Sequence, residues 1–313
     1  MIAPLAKFID ECVFQANAVR LSFRKVRMDD SKLADAIEFL NGPNFIRAES
    51  KPAGLEFTSK IHFQFPSPQP CEFAENNVVH GRLYRRAKDW QRFPTVILLH
   101  GGGDSLSHRF GFPLKVPVIH RAGFNAAILV APYAFQRRVR RIEKLDHLLM
   151  VENIGQAVAE IRALVGWLLG QGCPSVALIG LSLGGWFAGI TATRDSRLAA
   201  IVLAMPRVRW ELTRELPQVR SLTREAFEDY KTACRALDRT PTNLTLTQPV
   251  IPKEHILLIQ GRYDLVVAEH AEKLCQAWKQ PEIWRLPHSH VSGIFSPGIT
   301  SRVLDWLAPR MKK

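Results

Sequence analysis

Residues 175–185 read SVALIGLSLGG, and this stretch decides the fold. Its first half is an apolar run that predicts a buried strand, and the residues that follow, GGWFAGITATRD, have a helical pattern. Between them, Gly180, Ser182 and Gly184 form a G-x-S-x-G motif at a strand-to-helix turn. Side chains at the two glycine positions would clash with the strand and the helix. The motif therefore predicts a nucleophile elbow with Ser182 as the nucleophile.

A second glycine-rich turn supports this interpretation. The sequence HGGG, residues 100–103, comes directly after the apolar strand TVILL. Three glycines at a strand end leave backbone N–H groups free to approach a substrate oxygen, as an oxyanion hole requires. The N-terminus of the helix after Ser182 adds a favourable dipole. His100 is a further candidate for contact with the substrate.

Apolar segments alternate with helical patterns along the chain after Pro94. Fully apolar strands separated by helices are typical of a parallel sheet that is covered on both faces. Before Pro94, two segments alternate with a period of two and predict further strands. The predicted strands are LEFTSKIHFQF, NNVVHGRLYRR, TVILLH, NAAILVAP, SVALIG, AAIVLAM, HILLIQG and EIWRLP. The main predicted helices are VENIGQAVAEIRALVGWLLGQG, GGWFAGITATRD, EHAEKLCQAW and SRVLDWLAPRM.

The predicted core carries an extension and an insert. Residues 1–54 are predicted to form a helical N-terminal extension, since their apolar residues recur at helical spacing. Residues 55–206 and 250–313 form the core. Residues 207–249 are charged and helical and then polar, and they fall between two predicted strands. We interpret them as a small cap, or lid.

An acid and a base are expected to follow the nucleophile in that order. Asp264 lies in a turn after the strand HILLIQ and is the predicted acid, with Glu211 and Asp238 of the insert as rivals. The base is expected in the turn PHSHVSG after EIWRL. His290 is favoured because it takes the place of the histidine in a G-H-x-x-G type of turn. His288 is the alternative, or else a loop residue beside the site.

These motifs resemble the α/β-hydrolase family over roughly residues 55–313, in the family's order and on the expected elements. The resemblance implies an eight-stranded, mostly parallel sheet with helices on both sides. It implies Ser182 as nucleophile, His290 as general base and acid, and Asp264 as the group that fixes the imidazole. No metal or organic cofactor is implied. The implied oxyanion donors are the backbone N–H groups of Gly102, Gly103 and Leu183.

Composition places the chain among ordinary globular proteins. It has 313 residues, of which 47% are hydrophobic and 23% are charged, which excludes a disordered or fibrous chain. The N-terminus has no signal-peptide core, and no apolar run is long enough for a membrane span. The cysteines are few and scattered, which favours a reducing compartment over a disulfide framework or zinc site. We therefore expect a cytoplasmic protein. Its cysteines are Cys12, Cys71, Cys173, Cys234 and Cys275.

The net charge of +13 invites anionic partners. One basic cluster follows the strand NAAILVAP, where it would attract an anionic substrate group or a membrane, or form a solvated loop paired with Glu143 and Asp146. Arginines of the insert interleave with glutamates at spacings that indicate surface pairs. The first cluster comprises Arg137, Arg138, Arg140, Arg141 and Lys144, and the second comprises Arg207, Arg209, Arg214, Arg220 and Arg224.

Other partners have less support in the sequence. The N-terminal apolar stripe leaves peripheral membrane contact open, although such a helix more often packs on its own domain or on a partner subunit. No recognised nucleic-acid-binding module occurs, so no nucleic-acid partner is expected. Trp186, near the elbow, is interpreted as core or pocket wall. The basic residues that follow the N-terminal stripe are Arg20, Arg24, Lys25 and Arg27.

Three functions are compatible with these residues. The first is a serine hydrolase that cleaves the carboxylic ester or thioester of a small to medium acyl compound through an acyl-enzyme on Ser182. The second is a peptidase or amidase of prolyl-oligopeptidase-like type, which the short N-terminal segment disfavours. The third is an interaction protein that keeps the scaffold without catalysis. The retained Ser-Asp-His order argues against this third alternative.

Overall fold

The computed structural model describes residues 4, 27–29, 32–46, 54–102, 107–139, 144–212, 223–290, 292 and 298–311. At 27–29 and 144–146 only the backbone is described. The main sheet has nine strands and confirms the α/β-hydrolase fold expected from the motifs. It has one strand more than the eight that were expected.

Six neighbouring strands of this sheet run parallel, and three at one edge are antiparallel. The central strands are buried on both faces, which explains why their sequences are apolar throughout. The strands are β2 (Glu56–Phe57), β3 (His62–Pro66), β4 (Val78–Tyr84), β5 (Thr95–Leu99), β6 (Asn125–Leu129), β8 (Val176–Leu181), β9 (Leu198–Ala204), β10 (Ile256–Gly261) and β11 (Glu282–Leu286). From one edge of the sheet to the other, their order is β11-β10-β9-β8-β5-β6-β4-β3-β2. A separate parallel pair joins β1 (Arg27–Asp29) to β7 (Lys144–Asp146).

Seven α-helices lie within the described residues. They cover the two faces of the sheet and enclose two hydrophobic cores, one on each face. The helices are α1 (Leu33–Asn41), α2 (Phe112–Arg121), α3 (His147–Gly170), α4 (Leu183–Ala192), α5 (Arg224–Leu237), α6 (His270–Ala277) and α7 (Ile299–Leu307). None of the helices in the described part of the chain is long and apolar enough to cross a membrane.

The N-terminal segment differs in part from the helical expectation. Helix α1 lies where a helix was predicted and contacts α3. Residues 27–29 instead form strand β1, because they pair with the backbone of 144–146. Most of the segment before residue 27 lies outside the described residues, including three of the four basic residues considered for membrane contact, Arg20, Arg24 and Lys25.

The described parts of the insert pack closely against the rest of the chain. Trp210 is 1% exposed, and the side chain of Leu244 lies where a Cβ atom on Gly189 of α4 would be. Trp278, just after α6, donates from Nε1 to the carbonyl oxygens of Leu244 and Thr247. These segments therefore pack beside α4 and α6. The lid interpretation stays a prediction, and residues 213–222 lie outside the described chain.

Candidate active site

Ser182 sits at a strained turn between β8 and α4. Its φ of 53° is in the left-handed region, which costs a non-glycine residue about 1–3 kcal/mol. The glycines at either side are required by space. A Cβ on Gly180 would overlap the carbonyl of Gly184, and one on Gly184 would overlap the carbonyl of Leu99. The close packing of β8, α4 and β5 therefore explains the G-x-S-x-G spacing.

Three of the predicted side chains meet at this turn. Nε2 of His290 lies 2.9 Å from Oγ of Ser182, and Nδ1 of the same ring lies 2.8 Å from Oδ2 of Asp264. An ionised carboxylate can only accept a hydrogen bond, so in the neutral imidazole Nδ1 carries the proton and Nε2 accepts from the serine hydroxyl. The chain from carboxylate to imidazole to hydroxyl is thus continuous.

The Asp264 carboxylate is fully enclosed and oriented by backbone amides. Its side chain has no exposed surface, and its Oδ1 accepts from the N–H groups of Val266 and Val267 at 2.8 and 3.0 Å. Burial by itself would raise the pKa of Asp264. The charge of His290, the hydrogen bond to it and the two backbone hydrogen bonds together outweigh burial, so the pKa lies below its ordinary value. The group is therefore a stable anion beside the ring.

Backbone hydrogen bonds between two loops bring the acid to the base. After β10, the N–H of Arg262 donates to Leu286 and that of Tyr263 donates to His288, at 2.8 and 3.0 Å. A Cβ on Gly261 would lie 2.7 Å from the His288 carbonyl, so the close approach requires glycine there. This pairing continues the β10–β11 ladder beyond the sheet and holds Asp264 next to the turn that contains His290.

The competing candidates lie in other surroundings. The ring of His288 is buried, its Nδ1 lies 3.5 Å from Oγ of Ser292, and burial lowers its pKa. Its backbone carbonyl serves the loop pairing described above. Glu211 and Asp238 both pair with Arg209 within the insert. Asp238 also accepts from the N–H of Trp210 at 2.6 Å. These two carboxylates are used to hold the insert together.

The backbone N–H groups that would face a substrate oxygen come from two loops. Leu183 is the first residue of α4, where the N–H has no acceptor inside its own helix. Gly102 lies next to it, since a Cβ there would be 3.4 Å from the Leu183 side chain. Gly103 was also predicted as a donor, and it lies outside the described residues.

A large cavity borders these two residues. It has a volume of about 970 Å³ and is lined by residues of β3, β4, the HGGG turn, α4 and the loop 130–138. His100 lines it, with Nδ1 2.8 Å from the Gly101 carbonyl and Nε2 accepting from the N–H of Ala131. Both ring nitrogens thus contact backbone, which ties the HGGG turn to the end of β6. His100 thus lines the same cavity as Gly102 and Leu183, and its contact with a substrate stays a prediction.

The basic cluster after β6 divides into residues with different surroundings. Arg137 was expected in a solvated loop or near a substrate, but its side chain is fully buried and pairs with Glu160 of α3 through two contacts of 2.6 and 2.7 Å. The expectation fails for Arg137 because its partner lies 23 residues away on another element. Arg138 is exposed and lines the cavity. Arg140, Arg141 and the side chain of Lys144 lie outside the described residues.

Trp186 belongs to the core and not to a substrate surface. It is 1% exposed, stacks edge-on against Trp210 at 5.0 Å between ring centroids, and donates from Nε1 to the Thr242 carbonyl at 2.7 Å. Arg207 of the insert lies over its ring at 4.7 Å. Within the described residues, no cluster of three potential metal ligands occurs.

Several cavity residues carried no recognisable signal in the sequence. Arg82 lies on β4, in a segment where alternation indicated only a strand, and His108 and Arg109 follow the HGGG turn. Two aromatic residues, Tyr133 and Phe135, come from the loop after β6. Their convergence depends on which strands are neighbours in the sheet. The antiparallel pairing of β4 with β6 brings Arg82 to the cavity, next to the loop that follows β6.

The sheet order and the serine turn define a protein with the α/β-hydrolase fold. Comparisons with known proteins make the assignment narrower. The family model described as alpha/beta hydrolase domain containing 18 matches residues 19–211, which is more than half of the chain. The chain therefore belongs to this family.

Similar proteins extend the comparison. An uncharacterized protein of Mycobacterium tuberculosis is 30% identical over 149 residues, which are 46% of this chain and 35% of that protein. The match thus spans about a third of the curated relative. An esterase from Pyrococcus furiosus has a TM-score of 0.56 at 18% identity, covering 83% of this chain and 94% of its own. A hyperthermophilic esterase from Pyrobaculum calidifontis has a TM-score of 0.54 at 16% identity, with 97% of both chains covered. At such identities the likeness shows a shared fold.

Proposed function

We propose that this protein is a serine hydrolase that cleaves a carboxylic ester or thioester. The observation that carries the proposal is the hydrogen-bonded chain from Asp264 through His290 to Ser182, with contacts of 2.8 and 2.9 Å. Nucleophile and base within hydrogen-bond reach, with the base oriented by a third group, are the signature of an activated hydroxyl. The two esterases with the same fold are compatible with this chemistry.

The proposed reaction proceeds through an acyl-enzyme. Ser182 Oγ attacks the carbonyl carbon while its proton passes to Nε2 of His290, and the carbonyl oxygen becomes an oxyanion held by the N–H groups of Leu183 and Gly102. The imidazolium is stabilised by Asp264 and gives the proton to the leaving alcohol or thiol. Water then attacks the acyl-enzyme with His290 as base again, which releases the acid and restores Ser182.

Fluorophosphonate labelling tests whether Ser182 is activated. We expect the wild-type protein to be labelled and the Ser182→Ala variant to be unlabelled, since the probe reacts with nucleophilic serines. Ser289 is a buried serine in the same region, and Ser289→Ala is a matched control that should keep the label. Folded wild-type protein that takes no label would contradict the proposal and favour the non-catalytic scaffold.

A substrate panel then separates the bond types. p-Nitrophenyl esters and matched thioesters are compared with aminoacyl anilides at equal concentration. Ester or thioester turnover that depends on Ser182, with slower anilide turnover, is the expected result. Faster cleavage of the anilides would replace the esterase proposal by an amidase.

A further inference from the structure

The cavity beside the candidate oxyanion donors, which we call the basic cavity, is lined by three arginines. These are Arg82, Arg109 and Arg138, together with other polar and aromatic side chains. We infer that the basic cavity binds an anionic group, phosphate or carboxylate, carried by the ester substrate. This inference rests on the proposed function because it names the substrate class of the same site.

The charged side chains that line the basic cavity are all of one sign among the described residues. Its lining contains three guanidinium groups and, among the described residues, no carboxylate. Arg109 and Arg138 are exposed, so their charges face the solvent-filled space, whereas the buried Arg137 nearby is neutralised by Glu160. A concave surface lined by charges of one sign raises the local concentration of counter-ions. Guanidinium groups match phosphate and carboxylate oxygens with paired hydrogen bonds.

One histidine of the cavity wall carries no charge. His108 is 6% exposed and its ring stacks on Phe135 at 4.4 Å between centroids. Burial, together with the neighbouring His100, Arg82 and Arg109, lowers the pKa of His108 to about 3. The ring is therefore neutral at pH 7 and neither adds to nor offsets the charge of the three guanidinium groups. Arg82 donates to the His108 carbonyl, which fixes both residues at the cavity wall.

The loop that forms another wall is held in a strained conformation. Tyr133 and Phe135 both have positive φ values, 58° and 49°, which non-glycine residues adopt only when their surroundings enforce it. The N–H of Tyr133 donates to Oδ1 of Asn76 at 2.9 Å. Two such residues within three positions indicate that the wall has a defined shape, which a binding site requires.

A buried anchor below the loop enforces this shape. Arg137 donates to the carbonyl oxygens of Asn76 and Val130 as well as to Glu160. Glu160 also accepts from Ser67 Oγ at 2.6 Å. All these groups are buried, so the anchor is rigid. The exposed Arg138, which follows directly in the sequence, is thereby held at the cavity while Arg137 is held in the core.

Matched esters test the inference within each variant. Mono-p-nitrophenyl succinate is compared with p-nitrophenyl pentanoate for the carboxylate, and 4-acetoxyphenyl phosphate with phenyl acetate for the phosphate. We expect kcat/KM for at least one anionic ester to exceed that of its neutral match about tenfold in the wild type, the effect of one charge-assisted hydrogen bond. The pair that shows the preference identifies the anion.

Arginine variants locate the preference. Arg109→Gln and Arg138→Gln should each reduce the ratio of the two kcat/KM values several-fold, and the double variant should bring it near one. Arg121→Gln, at an exposed arginine at the end of α2 outside the cavity, is the control that keeps the wild-type ratio. Because both esters are measured on the same protein, partial unfolding lowers both rates and leaves the ratio unchanged.

The outcomes separate this inference from the proposed function. A wild-type protein that takes the fluorophosphonate label but has a ratio near one for both pairs overturns the anion inference alone. If no ester is turned over, calorimetric titration of inorganic phosphate and of succinate into Ser182→Ala decides. Binding that is lost in the Arg109→Gln/Arg138→Gln background supports the basic cavity, and no binding of either anion overturns it.

Discussion

Two buried acid–base pairs of this protein use similar chemistry and differ in solvent access. Arg137 and Glu160 have no exposed side-chain surface, and every nitrogen of the Arg137 guanidinium already donates to the carboxylate or to a backbone carbonyl. In the second pair Asp264 is equally enclosed, but 12% of the His290 side chain is exposed and its Nε2 reaches Ser182. The first pair is saturated and structural, whereas the second keeps one nitrogen available for proton transfer.

The comparison shows that burial of a charged pair does not by itself indicate a catalytic site. Both pairs would be noticed by a search for buried ionised groups. What distinguishes them is whether one partner also contacts a reactive group outside the pair. The guanidinium of Arg137 donates only within the pair and to backbone carbonyls, so Arg137 holds the wall of the basic cavity. His290 makes such a contact, because its second nitrogen lies next to the hydroxyl of Ser182 at a strained turn.

The largest expected effect comes from replacing His290, the partly exposed partner of the second pair. His290→Gln should reduce kcat/KM for a p-nitrophenyl ester by on the order of 10⁴-fold or more, since no base remains for Ser182. The matched variant His288→Gln should change it less than about tenfold, because that ring does not contact the serine. Steady-state kinetics of both variants check this. The reverse order of effects would move the base to His288.

Replacing Asp264, the enclosed partner of the same pair, should reduce activity almost as much. Asp264→Asn should reduce kcat by on the order of 10³–10⁴-fold, because an amide neither stabilises the imidazolium nor fixes the ring proton on Nδ1. Glu211→Gln is the control, a carboxylate-to-amide change in the insert that should keep kcat within about threefold. Equal losses in the two variants would contradict the assignment of the acid.

Breaking the structural pair should reduce stability more than chemistry. Glu160→Gln leaves Arg137 as a buried charge without its ionised partner, and we expect the free energy of unfolding to fall by about 3–5 kcal/mol. The double variant Arg137→Met/Glu160→Leu should recover only part of this, since the carbonyls of Asn76 and Val130 lose their donors. Urea unfolding measures both. A Glu160→Gln protein as stable as the wild type would show that the pair is dispensable.

A buried neutral histidine gives a smaller effect that depends on pH. Burial, with the charges of Arg207 and Arg209, lowers the pKa of His270 to about 3. In the unfolded chain this ring becomes protonated near pH 6.5, whereas in the folded chain it stays neutral down to about pH 3. The free energy of unfolding therefore falls as the pH drops from about 6.5 towards 3, by at most about 1.4 kcal/mol per pH unit for this ring.

The variant His270→Gln should remove that part of the slope, and urea unfolding between pH 4.5 and 7.5 measures it. Asp264 acts at lower pH. Because its pKa is lowered in the folded state, Asp264 stabilises the folded protein at pH values above the ordinary pKa of an aspartate. This stabilisation is lost as the pH falls through the pKa of Asp264 in the folded protein. An unchanged slope in His270→Gln would show that the ring titrates normally in the folded protein.

Local sequence patterns were sufficient to predict the fold and the turn that contains Ser182. The strands and helices were predictable because their apolar periodicity reflects burial on one or both faces. The ninth strand was not, because the single predicted strand LEFTSKIHFQF forms two antiparallel strands, β2 and β3, and β2 is two residues long and too short to have a period of its own. The site residues at 182, 264 and 290 were predictable as candidates because each follows a strand of a parallel sheet, and parallel strands end at one edge.

The sequence by itself determined that a serine between two glycines follows a buried strand, because steric limits at so tight a turn act over a few residues. Only the tertiary structure decided which histidine faces that serine, since His288 and His290 differ only in how the loop after β11 is paired. It also decided that Arg137 is buried while Arg138 lines a cavity. Long-range partners such as Glu160 are chosen by packing between elements, and packing leaves no local trace in the sequence.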